Sequence, residues 1–211
     1  MSVPRWLDWA QRLQTVAQSG LHYEPHPFDR ARYETIMQIA AEIIADKSGE
    51  DIKDILSFFT QEAGHSTPKI DVRGVIFRDD KILMVRENMD EGRWSLPGGW
   101  ADIGESAGES VAREIYEEAG YQARAVKLLA FYDRNRHDHP PYIFHAYKAF
   151  FRCELLSDER IPDPRNIETS EVAWFAADAL PTDLSAGRVT ASQIARFFEH
   201  LRQPDLPTDF D

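Results

Sequence analysis

The chain has 211 residues, 43% hydrophobic and 28% charged, which suits one ordinary domain plus a small second one and excludes disordered, collagen-like and coiled-coil classes. Its 24 Lys and Arg against 36 Asp and Glu leave a net charge of −12, which repels long polyanions and argues against nucleic acid as a partner. A single cysteine, Cys153, excludes a disulfide scaffold or thiolate zinc site, and with neither a run of ~20 apolar residues nor an apolar leader, the expectation is a cytoplasmic protein with no membrane span.

Residues 1–62 are expected to form a helical N-terminal domain. Trp6, Leu7, Ala10, Leu13 and Ala17 recur at helical spacing, as do Tyr33, Ile36, Ile39, Ile43 and Ile44. Three helices are predicted, the first closed by Ser19 and Gly20, the second opened by Asp29, the third preceded by Ser48 and Gly49. After a linker at 64–68 the pattern changes to strands at 71–77 and 81–87, separated by Asp79 and Asp80. Further strands are expected at 93–96, 125–133, 142–154 and 171–176, with helices at 106–119 and 190–202. Their irregular order implies an α+β domain over 68–204, a mixed sheet between helices. The Pro- and Asp-rich residues 205–211 are expected to be loose.

The chemistry concentrates in residues 98–121, GGWADIGESAGESVAREIYEEAGY. Glu114, Glu117 and Glu118 are spaced i, i+3, i+4 and share one helix face, apart from the apolar face of Val111, Ala112, Ile115 and Ala119. Each like-charge pair costs an isolated helix about 0.2–0.5 kcal/mol, and Arg113 alone cannot neutralise three carboxylates. Hard oxygen donors without Cys or His select Mg²⁺, Mn²⁺ or Ca²⁺ over zinc. A solvated acidic face is the competing reading; the preceding LPGGW, flexible enough to bring backbone close to a metal or a phosphate, favours the metal.

Gly99, Glu105 and the run Arg113-Glu114-Ile115-Tyr116-Glu117-Glu118-Ala119-Gly120-Tyr121 closely resemble the Nudix box, the loop–helix–loop motif of hydrolases acting on nucleoside diphosphates linked to another moiety; Tyr121 stands where the family more often has an aliphatic residue. The resemblance implies that Glu114, Glu117, Glu118 and the Gly99 carbonyl hold Mg²⁺, with Mn²⁺ a possible substitute, and that Glu105 and Arg113 form an ion pair fixing loop to helix. It also implies attack of water on one phosphorus of a pyrophosphate, the cation neutralising the developing charge. The family does not fix its general base. Glu118 is the default, and Glu168 and Glu171, before a predicted strand, are the distant candidates.

The helical start, the segment FYDRNRHDHPP and ETSEVAWF further resemble a Nudix subgroup with an N-terminal helical domain, associated with hydrolysis of ADP-ribose or CDP-choline to a nucleoside monophosphate and a phosphorylated partner. Triphosphate sanitation, RNA 5′-end removal and a catalytically silent nucleotide sensor are the alternatives. Arg134 and Arg136 are candidates for phosphate, His137 and His139 for phosphate or ribose, and Trp100, Tyr132 and Trp94 for stacking on a base. Cys153 reads as a buried small hydrophobe. Because ~60 residues bury a modest core alone, the helical domain is expected to pair with a second copy, making a homodimer, and to shape the substrate cleft.

Overall fold

The computed structural model describes residues 4–23 and 25–211. The chain divides into two compact units, one of helices (residues up to 68, joined by 141–145) and one of strands and helices (69–140 and 146–211).

The helical unit contains α1 (Arg5–His22), α2 (Pro27–Ser48) and α3 (Ile52–Gln61). Small residues make the contact between them: Ala10 and Ala17 on α1 and Ala40 and Ala41 on α2 are fully buried, with Met37, Ile44, Ile55 and Phe59 filling the rest. The predicted punctuation shifts. α1 runs past Ser19 and Gly20, because Gly20 is a packing residue whose Cβ would fall inside the Tyr33 ring. His26, not Asp29, caps α2, and Asp29 lies in its first turn. Ser48 ends α2, Gly49 at φ 78° is its left-handed cap, and Asp51 caps α3 by accepting from Lys53 N at 2.8 Å. Residues 141–145 belong here because Gln11 Nε2 donates to the carbonyls of Tyr142 and Ile143 at 2.9 and 3.2 Å. The strand expected from 142 therefore starts at Ala146.

The second unit contains β1 (Lys69–Val75), β2 (Phe77–Arg78), β3 (Lys81–Glu87), β4 (Arg93–Ser95), α4 (Ala107–Ala119), β5 (Ala123–Asp133), β6 (Ala146–Leu155), β7 (Thr169–Ala176), α5 (Ala191–Arg202) and β8 (Asp209–Phe210). One mixed sheet has the order β1-β6-β5-β8, with β1 parallel to β6 and β5 antiparallel to it. In the other, β3 pairs antiparallel with β2, β4 and β7. The β2–β3 turn places Asp79 and Asp80 at φ 51° and 57°, the left-handed pair that a two-residue hairpin demands. Strand β3 is buried on both faces: Ile82 and Met84 join Phe150, Ile194 and Phe197 on the α5 side, and Leu83 and Val85 join Val72, Ile115 and Ala149 on the α4 side. The result is an α+β fold, strands packed between α4 and α5. Cys153 is free and buried.

Residues 205–211, expected to be loose, are ordered instead. β8 pairs parallel with β5 at Ala130 and Phe131, and Asp209 takes Arg196 through two bonds of 2.7 Å and faces His200 Nε2 at 3.0 Å. Polar tail composition resembles a frayed end, but here its carboxylates meet cations that α5 supplies. Among the described residues no helix is long and apolar enough to cross a membrane.

Candidate active site

Helix α4 carries the carboxylates. A reciprocal cap opens it: Ser106 Oγ accepts from Glu109 N at 3.3 Å and Glu109 Oε2 accepts from Ser106 N at 2.8 Å. Gly120 at φ 73° closes it. Its apolar face seats against β1 where Gly74 leaves room for Ile115 and Val111, which turns Glu114, Glu117 and Glu118 toward the loop before the helix.

That loop is a short extension of the sheet. Val72 N donates to Gly99 O, Gly74 N to Pro97 O and Ala101 N to Ile70 O, at 2.8–2.9 Å. Gly98 takes φ 144°, where a Cβ would collide with the Val72 carbonyl. Its N–H donates to Glu118 Oε2 at 2.9 Å. Gly99 is a cradle: a Cβ there would lie 2.9 Å from Glu114 Oε1.

Arg113 organises the acids. Its Nε bonds both Glu105 oxygens at 3.1 Å, and Nη1 reaches Glu114 Oε1 and Glu117 Oε2 at 3.0 and 2.9 Å. Ser110 Oγ also donates to Glu105 at 2.8 Å, and these bonds, Ser110's first, hold the Glu105 carboxyl below its usual range. Burial pushes Glu114 up against the pull of Arg113, and pushes Glu118, 3% exposed, well above the usual range against the pull of Arg73. Among the described residues no three His, Cys, Asp or Glu side chains already stand as a metal cage, since Arg113 takes up the facing oxygens. The donor set nonetheless fits a hard divalent cation: oxygen-only donors on one helix face, a cradle that admits Glu114 beside backbone, and buried carboxyls whose ionised forms Arg113 and Arg73 compensate only in part.

A cleft of about 190 Å³ opens beside Glu117 and Glu118, and Glu168 and Arg165 line its other side. The loop that brings them is bolted to the end of α4. Asn166 Nδ2 and Thr169 Oγ1 donate to Glu118 O at 3.1 and 2.7 Å, Arg160 Nε donates to Ala119 O at 2.9 Å, and Ile161 N donates to Gly120 O at 2.8 Å. Glu171 lies outside this cleft, half-exposed and facing Arg86 Nη1 at 3.3 Å.

The remaining candidates divide. Arg134 is buried and donates to Pro140 O at 2.7 Å, so it staples its own loop. Tyr132 is buried, packs at a tilt against His137 at 4.0 Å between centroids and donates to Asp209 at 3.3 Å; burial, aided by Asp209, pushes its hydroxyl up to about 12. Trp94 packs edge-on against Phe175 in the core. His139 lies between Ala186 O and Gln193 Nε2, at 2.7 and 3.1 Å, and burial lowers it to about 4, while His137 faces Asp211 at 3.2 Å. Arg136 and Trp100 stay exposed. Arg136 borders a second groove, with Phe131, Tyr147 and Phe210.

Sequence reasoning missed a buried charge network behind the Gly98 loop. Arg73 forks onto Asp71 at 3.0 and 2.9 Å and donates to Leu96 O at 3.1 Å, and Lys148 Nζ reaches Asp71 at 2.8 Å. Glu87, 2% exposed, faces Arg188 Nε at 3.1 Å. Burial opposes ionisation of Asp71, but Arg73 and Lys148 outweigh it and hold the carboxyl well below its usual range. Burial lowers Lys148 to about 8 against the pull of Asp71. A signal existed: Asp71 and Arg73 alternate with Val72 and Gly74 in a strand, and Lys148 sits between apolar residues, an arrangement that buries charges only as partners.

Comparison with known proteins follows the same division. A family model described as "NUDIX domain" matches residues 67–196, and one described as "UDP-X-like, N-terminal oligomerisation domain" matches 4–59. The Bacillus subtilis (strain 168) protein named "Putative ADP-ribose pyrophosphatase YjhB" is 45% identical over 98% of this chain and 97% of its own length. An ADP-ribose pyrophosphatase structure from Streptococcus suis 89-1591 superposes with TM-score 0.61 at 41% identity, over 69% of this chain and 100% of that one. A UDP-X diphosphatase structure gives TM-score 0.61 at 31% identity over 100% of both chains.

Proposed function

This chain belongs to the Nudix family of pyrophosphohydrolases, and we propose that its substrate is a nucleoside diphosphate linked to a sugar or similar moiety, ADP-ribose first, cleaved to a nucleoside monophosphate and a phosphorylated partner. The observation that carries the reading is the cleft where Glu117 and Glu118 of α4 face Glu168 of the 160–169 loop, in a chain 45% identical to a relative named for ADP-ribose. The names of two relatives favour ADP-ribose over CDP-choline, and the 31% likeness to a UDP-X diphosphatase makes UDP-linked sugars the next class to offer.

Glu114, Glu117, Glu118 and the Gly99 carbonyl would hold Mg²⁺. Bound there, the cation supplies charge neutralisation on the diphosphate oxygens. Arg113 bonds Glu114 and Glu117 and, through Glu105, fixes the loop to the helix. The Gly98 N–H orients the Glu118 carboxylate. We assign the general base to Glu168 over Glu118, because Glu118 is buried and already accepts from Gly98, whereas the Glu168 carboxylate is exposed on the cleft; there it takes the proton of the attacking water. Glu171, paired with Arg86, has no part in the step. The helical unit makes a homodimer, supported by the description of its family model and by Trp9, Val16, Phe28 and Ile39, which stand 42–73% exposed on it.

The test is a panel of ADP-ribose, UDP-glucose, CDP-choline, dinucleotides and nucleoside triphosphates incubated with Mg²⁺, products separated chromatographically. Nucleoside monophosphate without pyrophosphate, greatest from ADP-ribose, is the expected result. Pyrophosphate release from triphosphates, or binding without turnover, would overturn it.

A further inference from the structure

Arg165 projects into solvent at the mouth of the glutamate cleft, its side chain 81% exposed, yet it is not a loose surface arginine. Its Nε and Nη2 bond the two oxygens of Asp163 at 3.1 and 2.8 Å. The Asp163 side chain is only 5% exposed and also accepts the backbone N–H of Arg165 at 2.9 Å, while its carbonyl accepts from Asn166 N at 3.0 Å. Asn166 is in turn bonded to Glu118 O. A buried carboxylate thus fixes an exposed guanidinium in one orientation, on a loop tied to the helix that carries the acids.

An exposed ion pair on its own contributes little to stability, so this fixation has its value in where it aims the arginine. The Nε–Nη2 edge is spent on Asp163. The Nη1 amino group and one Nη2 hydrogen remain for a ligand, beside a cleft whose other walls are Glu117, Glu118 and Glu168. Of the other guanidiniums near these acids, Arg113 is held by Glu105, Glu114 and Glu117, and Arg73 by Asp71. A diphosphate entering a cleft walled by carboxylates needs cationic contacts on both sides, and the planar fork of arginine suits phosphate oxygens.

We propose that Arg165, held by Asp163, is a substrate-binding residue that grips the phosphate oxygens of the diphosphate facing away from the α4 glutamates. The proposal rests on the diphosphate hydrolase reading, and the experiment separates the two. Steady-state kinetics on ADP-ribose with Mg²⁺ would compare wild type with Arg165→Ala, Arg165→Lys and Asp163→Asn. Loss of a charge-assisted contact corresponds to about a 10- to 100-fold rise in KM for Arg165→Ala, with Lys intermediate because it keeps charge but not the fork. Asp163→Asn, which loosens the aim and leaves the guanidinium, should raise KM by less. Mn²⁺ affinity, read from the free-ion EPR signal, should match wild type in Arg165→Ala, whereas its melting temperature should fall because the buried Asp163 carboxylate loses its cation. A KM within twofold of wild type in Arg165→Ala would overturn the assignment. If wild type cleaves no diphosphate, the functional reading fails, and calorimetric binding of inorganic pyrophosphate with Mg²⁺ decides Arg165: binding weakened about tenfold or more in Arg165→Ala supports it, and equal binding by both proteins, or none by wild type, overturns it.

Discussion

Replacing Gly99 by alanine separates a metal role for the α4 acids from a merely structural one. The new Cβ would stand 2.9 Å from Glu114 Oε1 and 3.1 Å from its Cδ, where ordinary contact begins near 3.4 Å. The carboxylate must therefore retreat by about 0.5 Å, more than the ~0.2 Å tolerance of a metal–ligand distance. Gly99 does not sit at positive φ, so alanine suits its backbone, and the group that yields is the end of a flexible side chain. The fold should lose on the order of 1 kcal/mol or less. Mg²⁺ affinity should fall about 10- to 100-fold, as when a group that orients a ligand is lost. The assay is the Mg²⁺ concentration for half-maximal turnover, alongside Mn²⁺ titration by EPR and thermal melting. An unchanged half-saturation in a folded Gly99→Ala protein would refute placing the cation between Glu114 and the glycine loop. Gly98→Ala is the contrasting case: its φ of 144° and the Val72 carbonyl in its path should cost about 1–3 kcal/mol of stability through strain.

Glu168→Gln should lower kcat for the diphosphate substrate by roughly 10²–10⁴-fold with little change in KM, and kcat within threefold of wild type would return the base to Glu118. Glu118→Gln should also lose turnover, yet without metal it should melt higher than wild type, because it removes a buried charge while an amide oxygen still accepts from Gly98; a lower melting temperature would contradict that account. Asp209, held at about 2 chiefly by its bonds to Arg196, tests the tail. Its carboxyl is depressed from 3.8, so the pair's contribution of roughly 2 kcal/mol is complete above pH 4 and is lost as pH falls toward 2. Urea unfolding of wild type against Asp209→Asn should show a constant gap from pH 7 to 4 that closes below, and a gap closing near pH 6 would show a different origin. Gly20→Ala, which drives a methyl into the Tyr33 ring, should destabilise the helical unit by about 1–3 kcal/mol, measured by its melting temperature.

The carboxylate-bearing helix was readable because its information is local. Three glutamates at i, i+3, i+4 and an apolar face of Val111, Ala112, Ile115 and Ala119 specify a helix and its acidic face with no help from the rest of the chain. The same holds for the hairpin at Asp79–Asp80 and for β3, whose apolar run is short enough to be a buried strand. Local signals misled where packing had another use for the residue. Gly20 resembles a helix stop and is a contact, and Arg134 resembles a phosphate ligand and is a loop staple.

Tertiary structure alone decided which distant residues join the acids. Glu168 and Glu171 are three positions apart before the same strand, and nothing in their neighbourhood ranks them; the loop's bonds to the carbonyl of Glu118 bring one to the cleft, and Arg86 takes the other. Arg165 and Asp163 were invisible for the same reason, as an Asp two residues from an Arg acquires meaning only from the surface that the pair faces. The tail is the plainest case. Its sequence satisfies every criterion for a frayed end, and it becomes a strand because α5 and β5 offer cations and an open edge. Composition and periodicity report what a segment does with its neighbours in the chain, and a site assembled from segments far apart in sequence is set by which backbone groups need partners once the strands have packed.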